Sequence, residues 1–361
     1  MRIGFTYDLR SQYRAEGFSD EATAEMDHEE TIAAIADAIS ACEHDVVLIG
    51  HARNLIDKLA AGERPDMVFN ICEGLTGSSR EAQVPAILDA VGVPYTFSDP
   101  LTMSVCLHKG ITKSLLRDAG IATSDFWTAQ TADDLRRVYT SYPAFAKPIA
   151  EGTGKGISSA SKVADAAQLS KVCCQLLEDF AQPVLIEPYL PGREFTVSII
   201  GSGAQAEALG TLEITLRAQA DPDVYGYANK ERCEEMVDYV YCDDSDPQVA
   251  QAERTSLAAW RALGCLDAGR VDLRCDADGV PQVLEVNPLP GLHPTHSDLP
   301  MTCAALGMSY QSLIARIIDC ASRRASIRVH GARRSQLRRP HMTSQAIGGG
   351  SGQKIAPPAR D

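Results

Sequence analysis

Residues 282–300 read QVLEVNPLPGLHPTHSDLP, an apolar run that carries Glu285 and Asn287 and ends on Pro-Leu-Pro-Gly. An acid and an amide two positions apart on a strand point the same way. The run before it, GRVDLRC, is joined to it through DADG, and the Asp278-Gly279 pair predicts a hairpin with an even-numbered loop. An even loop puts odd positions of the second strand on the face of even positions of the first. Asp272 then joins Glu285 and Asn287, with Arg270 one step along. Two carboxylates and an amide oxygen make half a shell for a hard cation such as Mg²⁺, leaving water or phosphate to complete it. The same alternation also suits a plain exposed strand face.

Other residues hint at phosphate. Gly152, Gly154 and Gly156 lie in AEGTGKG, between two apolar runs, where backbone N–H groups could close over phosphate oxygens. The loop matches neither a Walker loop nor a kinase motif, and Gly-rich hairpins are common. Lys147 on AFAKPI faces inward and needs an anionic partner, because a lone buried ammonium is costly. Lys109, in LHKGITK, suits a surface helix equally well. His293 and His296 in HPTH sit beside the metal strand, but with Pro294 between them and no helix they read as residues near a substrate loop, not as zinc ligands.

These residues need elements to hold them. A chain of 361 residues with 45% hydrophobic and 23% charged side chains fits a soluble globular protein of two or three domains. MRIGFTY, DVVLIG and DMVFNI read as strands alternating with the helices HEETIAAIADAIS and REAQVPAILDAVG, which predicts a small parallel α/β sheet over 1–100. No GxGxxG follows the first strand, so a dinucleotide site is not supported. A central unit over 101–186 contains the helix KGITKSLLRDAG, strands YPAFAKPI and GISSASKV around the Gly loop, the helix DAAQLSKVCCQLLEDF, and PVLIEPYL. A third unit over 187–322 runs from GREFTVSIIG through EALGTLEIT, an irregular stretch, a helix around AQAERTSLAAWRALG and the hairpin. SYQSLIARIIDCA closes the ordered body, and 323–361 reads as a basic, disordered tail.

The net charge of −14 is uneven, since residues 1–322 carry −22 and the tail is basic. So acidic a body argues against nucleic acid as the main partner. The eleven scattered cysteines include no CxxC pair and read as reduced. MRIGFTYDLR lacks an apolar leader and no long apolar window spans a membrane, so cytoplasm is the expected compartment.

Taken in order, the motifs are a helix lysine, a strand lysine, a Gly loop, IEPYLPGREF, an isolated Lys230, R-x-D and E-x-N-x-x-P-G. Together with FNICEG…GVPYT and LEVNPLPGL…HSDLPM, they resemble the ATP-grasp superfamily, closest to its D-alanine–D-alanine ligase branch, over roughly residues 1–322. The resemblance implies a three-domain α/β (α+β) fold whose central and C-terminal domains clamp ATP. It implies that Lys109 and Lys147 contact phosphates together with the loop of Gly152, Thr153, Gly154 and Gly156. Glu187 and Leu190 would reach adenine through their backbones, Glu194 the ribose, and Lys230 the γ-phosphate. Asp272, Glu285 and Asn287 would hold two Mg²⁺ ions, with Mn²⁺ as a substitute. Arg270 and the Gly291 N–H would stabilise an oxyanion, and Ser297 would bind the second substrate's carboxylate. The Gly loop and Tyr225–Glu231 would be lids. A homodimer through the N-terminal domain and small amino-acid-like substrates are also implied.

The departures lie at the substrate end. Where the family has His-Gly after the third strand, this chain has Glu73-Gly74, and Arg80 could pair with Glu73 or meet a substrate carboxylate. Thr153 replaces the family's serine, and Glu231 its tyrosine. The first connection, DLRSQYRAEGFSDEATAEMD, is long, and Glu16 and Glu29 are both candidates for the first substrate's ammonium. The leading expectation is an ATP-dependent carboxylate–amine ligase joining D-alanine to D-alanine. Alternatives are a ligase for other amino acids or a small secondary metabolite, a catalytically silent ATP-binding regulator, and an RNA-tethered protein acting through its tail.

Overall fold

The computed structural model describes residues 1–220 and 224–337, with side chains as far as residue 326. The chain opens with β1 (Arg2–Tyr7), α1 (Arg10–Ala15), α2 (Glu29–Ala41), β2 (Asp45–Gly50), α3 (Ala52–Ala60), β3 (Met67–Ile71) and α4 (Gln83–Val91). The three strands pair in parallel in the order β2-β1-β3, as the alternating pattern predicts. Ile32, Ile35 and Ile39 on one face of α2 are buried with Ile3 and Phe5 of β1. Helical spacing of the isoleucines therefore sets which face of α2 meets the sheet.

A second sheet follows α5 (Pro100–Leu107) and α6 (Lys109–Asp118). Its strands are β4 (Trp127–Ala129), β5 (Ala144–Pro148) and β6 (Lys162–Val163), then, after α7 (Ala166–Phe180), β7 (Val184–Pro188). They are antiparallel in the order β4-β7-β5-β6. The strand expected across GISSASKV shrinks to β6. Its serines turn the chain instead, with Ser158 Oγ accepting from Ala160 N at 3.3 Å and Ser161 Oγ from Ser158 N at 3.2 Å. The expected boundary at 186/187 falls inside β7.

The third sheet orders β10-β9-β8-β11-β12 from β8 (Glu194–Ile200), β9 (Glu207–Leu216), β10 (Val237–Cys242), β11 (Ala268–Cys275) and β12 (Pro281–Asn287). Short helices α8 (Tyr227–Glu231) and α9 (Cys233–Met236) precede β10, so the stretch read as irregular is partly ordered. Helix α10 (Pro247–Ala262) starts on an Asp246 cap that accepts from Gln248 N, and its Val249, Ala252, Ala259 and Trp260 pack on Phe195 and Val271.

Helices α11 (Asp298–Ala305) and α12 (Tyr310–Leu337) follow the hairpin. Leu313, Ile314, Ile317 and Ile318 of α12 are buried with Ile3, Phe5 and Phe69, so the closing helix covers the N-terminal sheet. Met1–Arg323 forms one compact unit. The second unit, from Arg324, is helical as far as Leu337, where a disordered tail was expected. The sequence holds no proline between Tyr310 and Leu337 to stop the helix, the next being Pro340. The rest of that tail lies outside the described residues. Among the described residues no helix is long and apolar enough to cross a membrane.

Candidate active site

The hairpin places its acids by a different route from the one the sequence suggests. Cys275 pairs with Pro281, so the loop 276–280 is odd, held by Asp276 Oδ1 accepting from Val280 N at 2.9 Å and by Gly279 at φ +81. An odd loop alone would put Asp272 across from Leu284. A β-bulge corrects it: Leu273 faces Val283, but Asp272 faces Glu285 and Arg270 faces Asn287. Asp272, Glu285, Asn287 and Arg270 therefore share one face. Arg270 Nη1 and Thr196 Oγ1 donate to Asp272, and Asn287 Nδ2 lies 3.4 Å from Asp272 Oδ2. Burial pushes the Asp272 carboxyl up; Arg270 opposes this, while Glu285 and Asp298 add to it. Two carboxylates and an amide oxygen on one face form an all-oxygen donor set, which fits Mg²⁺. Among the described residues no three His, Cys, Asp or Glu side chains are grouped to hold a metal, so this set depends on its amide.

A cavity opens on this face, lined by Lys109, Lys147, Leu190, Glu194, Lys230 and Glu285 among others. Lys109 begins α6, and its Nζ reaches Glu285 Oε2 at 3.0 Å and Glu151 O at 2.6 Å. Lys147 Nζ lies 2.9 Å from Glu187 Oε2. Lys230 Nζ sits 4.6 Å from the Tyr225 ring centroid. Glu194 pairs with Arg274 at 3.2 Å. Sequence reasoning missed Lys113, which is fully buried with Nζ 2.7 Å from Glu187 Oε1. Its signal was present, since Lys109 and Lys113 are four apart on one helix. Burial would raise the Glu187 carboxyl, but Lys113 and Lys147 outweigh it and hold it at about 2.

The Gly loop meets the other expected lid. Gly154 has φ +73, and a Cβ there would stand 2.8 Å from Tyr227 N. Tyr227 N donates to Ile157 O at 3.3 Å. Gly156 (φ +70) is tight against Pro148, and Thr153 itself takes φ +50. Glycine is required where the two loop backbones touch.

A second cavity shares Lys109, Glu151, Tyr225, Lys230 and Glu285 with the first. Gly152, Thr153, Arg270, Gly291 and Ser297 also line it. Ser297 Oγ accepts from His293 N at 2.9 Å and would lie 2.8 Å from a Cβ on Gly291, so the hydroxyl pins the turn that carries Gly291. The His293 and His296 ring centroids lie 4.5 Å apart with the planes tilted by 39°, and His296 Nε2 is 3.5 Å from Glu234 Oε1. Glu73 lines this cavity, but its expected partner Arg80 is engaged elsewhere, with Glu25 Oε2 at 2.5 Å and Ala150 O at 2.7 Å. Arg80 lines a separate cavity on the N-terminal unit.

Neither Glu16 nor Glu29 lines the second cavity. Glu16 is exposed beside the separate cavity, and Glu29 is exposed with its carboxylate on Ser11 Oγ at 2.6 Å. The acid of that connection which does line it is Glu25, 5% exposed, accepting from Gly152 N at 2.6 Å and pairing with Lys155 at 3.2 Å. Glu231, in the second expected lid, lies with its Oε2 3.5 Å from Arg10 Nη2.

Comparison with known proteins agrees with this arrangement. The family described as D-ala D-ala ligase C-terminus matches residues 115–319. The uncharacterised protein y4sG of Sinorhizobium fredii is 34% identical over 298 residues, 80% of this chain and 86% of its own length. A D-alanine–D-alanine ligase of Bordetella petrii is 34% identical over 285 residues, 78% of this chain and 82% of its own. Among solved structures, the D-alanine–D-alanine ligase of Bacillus anthracis complexed with ATP aligns with a TM-score of 0.67 at 24% identity, covering 91% of this chain and 99% of that one, which speaks for the fold. The chain belongs to the D-alanine–D-alanine ligase family of ATP-dependent, ADP-forming ligases and has the ATP-grasp fold.

Proposed function

We propose that this chain activates the carboxylate of one amino acid with ATP and joins it to the amine of a second, with D-alanine as the reference substrate at both positions. The observation that carries this reading is the shared wall of the two cavities. Lys109, Lys230 and Glu285 border both, so a phosphoryl donor in one reaches a carboxylate in the other.

In this reading a carboxylate oxygen attacks the terminal phosphorus of ATP and ADP leaves. The amine nitrogen of the second substrate then attacks the acyl carbon, phosphate leaves and the nitrogen loses a proton. Lys109, Lys147 and Lys230 neutralise phosphate charge, and N–H groups of the Gly152–Gly156 loop close over it. The backbones of Glu187 and Leu190 meet adenine, and Glu194 the ribose. Asp272, Glu285 and Asn287 would hold Mg²⁺, which when bound draws electron density from the phosphate oxygens. Arg270 and the Gly291 N–H face the oxyanion, where one donor is worth about 3 kcal/mol. Ser297 takes the second substrate's carboxylate. The rest of the work is positioning and exclusion of water by the touching lids.

The test is release of phosphate from ATP and Mg²⁺ with D- and L-amino acids alone and paired, with product masses recorded. A dipeptide with ADP is the expected result. ATP binding without phosphate release on any pair would instead make the chain a silent nucleotide-binding regulator. The reading extends to a cytoplasmic homodimer, supported by the exposed Leu48 and Ile56 of the N-terminal unit, and sedimentation checks the dimer.

One observation favours an acyl donor other than D-alanine: Glu73 and Glu81 both face the second cavity.

A further inference from the structure

Glu25, Glu73 and Glu81, all from the N-terminal 100 residues, are among the acids that line the second cavity. Glu25 is fully satisfied by Arg80, Lys155 and the Gly152 N–H. Arg80 spends its other arm on Ala150 O, and Lys155 its remaining contact on Glu151. These two cations are therefore committed, and Lys109, which also acts on Glu81, is held by Glu285 Oε2 at 3.0 Å and Glu151 O at 2.6 Å. Glu73 and Glu81 have neither an ion pair nor a hydrogen bond among the described residues.

Two partly buried carboxylates without partners are costly unless a ligand supplies charge. Burial pushes Glu73 well up, with Glu81 and Glu25 adding to it against Arg80. Burial likewise carries Glu81 to about 7, with Arg80 opposing and Glu25 adding. Both shifts come first from burial, with neighbouring carboxylates adding to it, and a cationic ligand would favour the charged form of each. The α-ammonium of an ordinary amino acid meets one carboxylate and leaves the other unpaired. A substrate with a second cationic nitrogen meets both.

We infer that the acyl donor is an α,ω-diamino acid, whose two ammonium groups pair with Glu73 and Glu81. This rests on the ligase reading above, and it names which amino acid that reading leaves open. A neutral side chain at the same site would strand a buried carboxylate, which is the situation in which binding sites discriminate most strongly.

The experiment uses the full chain with ATP, Mg²⁺ and D-alanine as the amine. Donors are D-alanine, the D- and L-forms of 2,3-diaminopropionate, 2,4-diaminobutyrate, ornithine and lysine, and norleucine as the neutral counterpart of lysine. ADP release and product mass are followed together. The expected result is a kcat/KM for one diamino donor at least about tenfold above alanine and norleucine. Glu73→Gln and Glu81→Gln, each checked for folding by circular dichroism, should each shrink that ratio severalfold with the KM for ATP unchanged. Equal or better turnover of D-alanine or norleucine overturns the inference and leaves the ligase reading standing. A diamino preference untouched by both substitutions also overturns it. No ADP and no amide from any donor overturns the ligase reading together with it.

Discussion

Asp272 stands directly across the strand pair from Glu285 because Leu284 is skipped by the hydrogen-bonded ladder. The bulge converts an odd loop into the parity that brings two carboxylates together, and it leaves Leu284 to line the first cavity. The pairing predicts a strict dependence on both acids. Asp272→Asn should reduce Mg²⁺-dependent phosphate release by about ten- to a hundredfold. The secondary structure should be unchanged by circular dichroism. Chelation with EDTA should abolish turnover of the parent chain and restore it on adding Mg²⁺.

Glu187 is the counterion of two buried lysines, at 2.7 Å from Lys113 and 2.9 Å from Lys147. Glu187→Gln leaves two ammonium groups without their charge partner and should destabilise the fold by about 3–5 kcal/mol in urea unfolding at pH 7. The pH dependence has a fixed sign. The folded carboxyl is held at about 2, below its unfolded value. Its contribution is therefore full above the ordinary glutamate range of about 4.3 and disappears as pH falls toward 2. The difference between parent and variant should shrink across that window.

The Gly loop and the Tyr225–Glu231 segment, expected to act as lids, touch at Gly154, where φ is +73 and a Cβ would meet Tyr227 N at 2.8 Å. Gly154→Ala combines left-handed strain of about 1–2 kcal/mol with a clash against backbone. The strained loop should close less often, raising the KM for ATP about tenfold. The melting temperature should hardly move, because the loop is not part of a hydrophobic core. Gly152→Ala is a useful contrast, since its neighbour at 2.9 Å is the Glu25 side chain and not backbone.

Much of this site was legible before folding, for identifiable reasons. Lys147, Asp272, Glu285 and Asn287 sit on regular strands, where a period of two settles which way a side chain points. The same-face prediction came out right although the loop count was wrong. The Val283-Leu284 doublet, two adjacent apolar residues in an alternating strand, was the visible mark of the bulge. Glu25 was hidden because the connection 8–27 holds several acids without helical or strand periodicity, so nothing local selects one. Its role depends on Gly152, 127 residues away. Arg80 was matched to Glu73 by proximity in sequence, whereas the fold gives it Glu25. β10 was overlooked because its alternation, VDYVYC, sits in a polar stretch.

The closing helix separates the last two ideas about the C-terminus. Leu313, Ile314, Ile317 and Ile318 are buried against the N-terminal sheet, while the compact unit ends at Arg323. Truncation after Arg323 should leave urea stability within about 0.5 kcal/mol of the full chain and phosphate release unchanged. It should also remove any salt-sensitive binding to RNA that the basic tail supports. Ile317→Ala, by contrast, opens a cavity in the shared core and should cost about 2–5 kcal/mol. Because that core joins α12 to β1 and β3, the loss should appear as one cooperative transition at a lower denaturant midpoint. A separate early transition of the N-terminal sheet would mean that α12 does not tie the first domain to the rest.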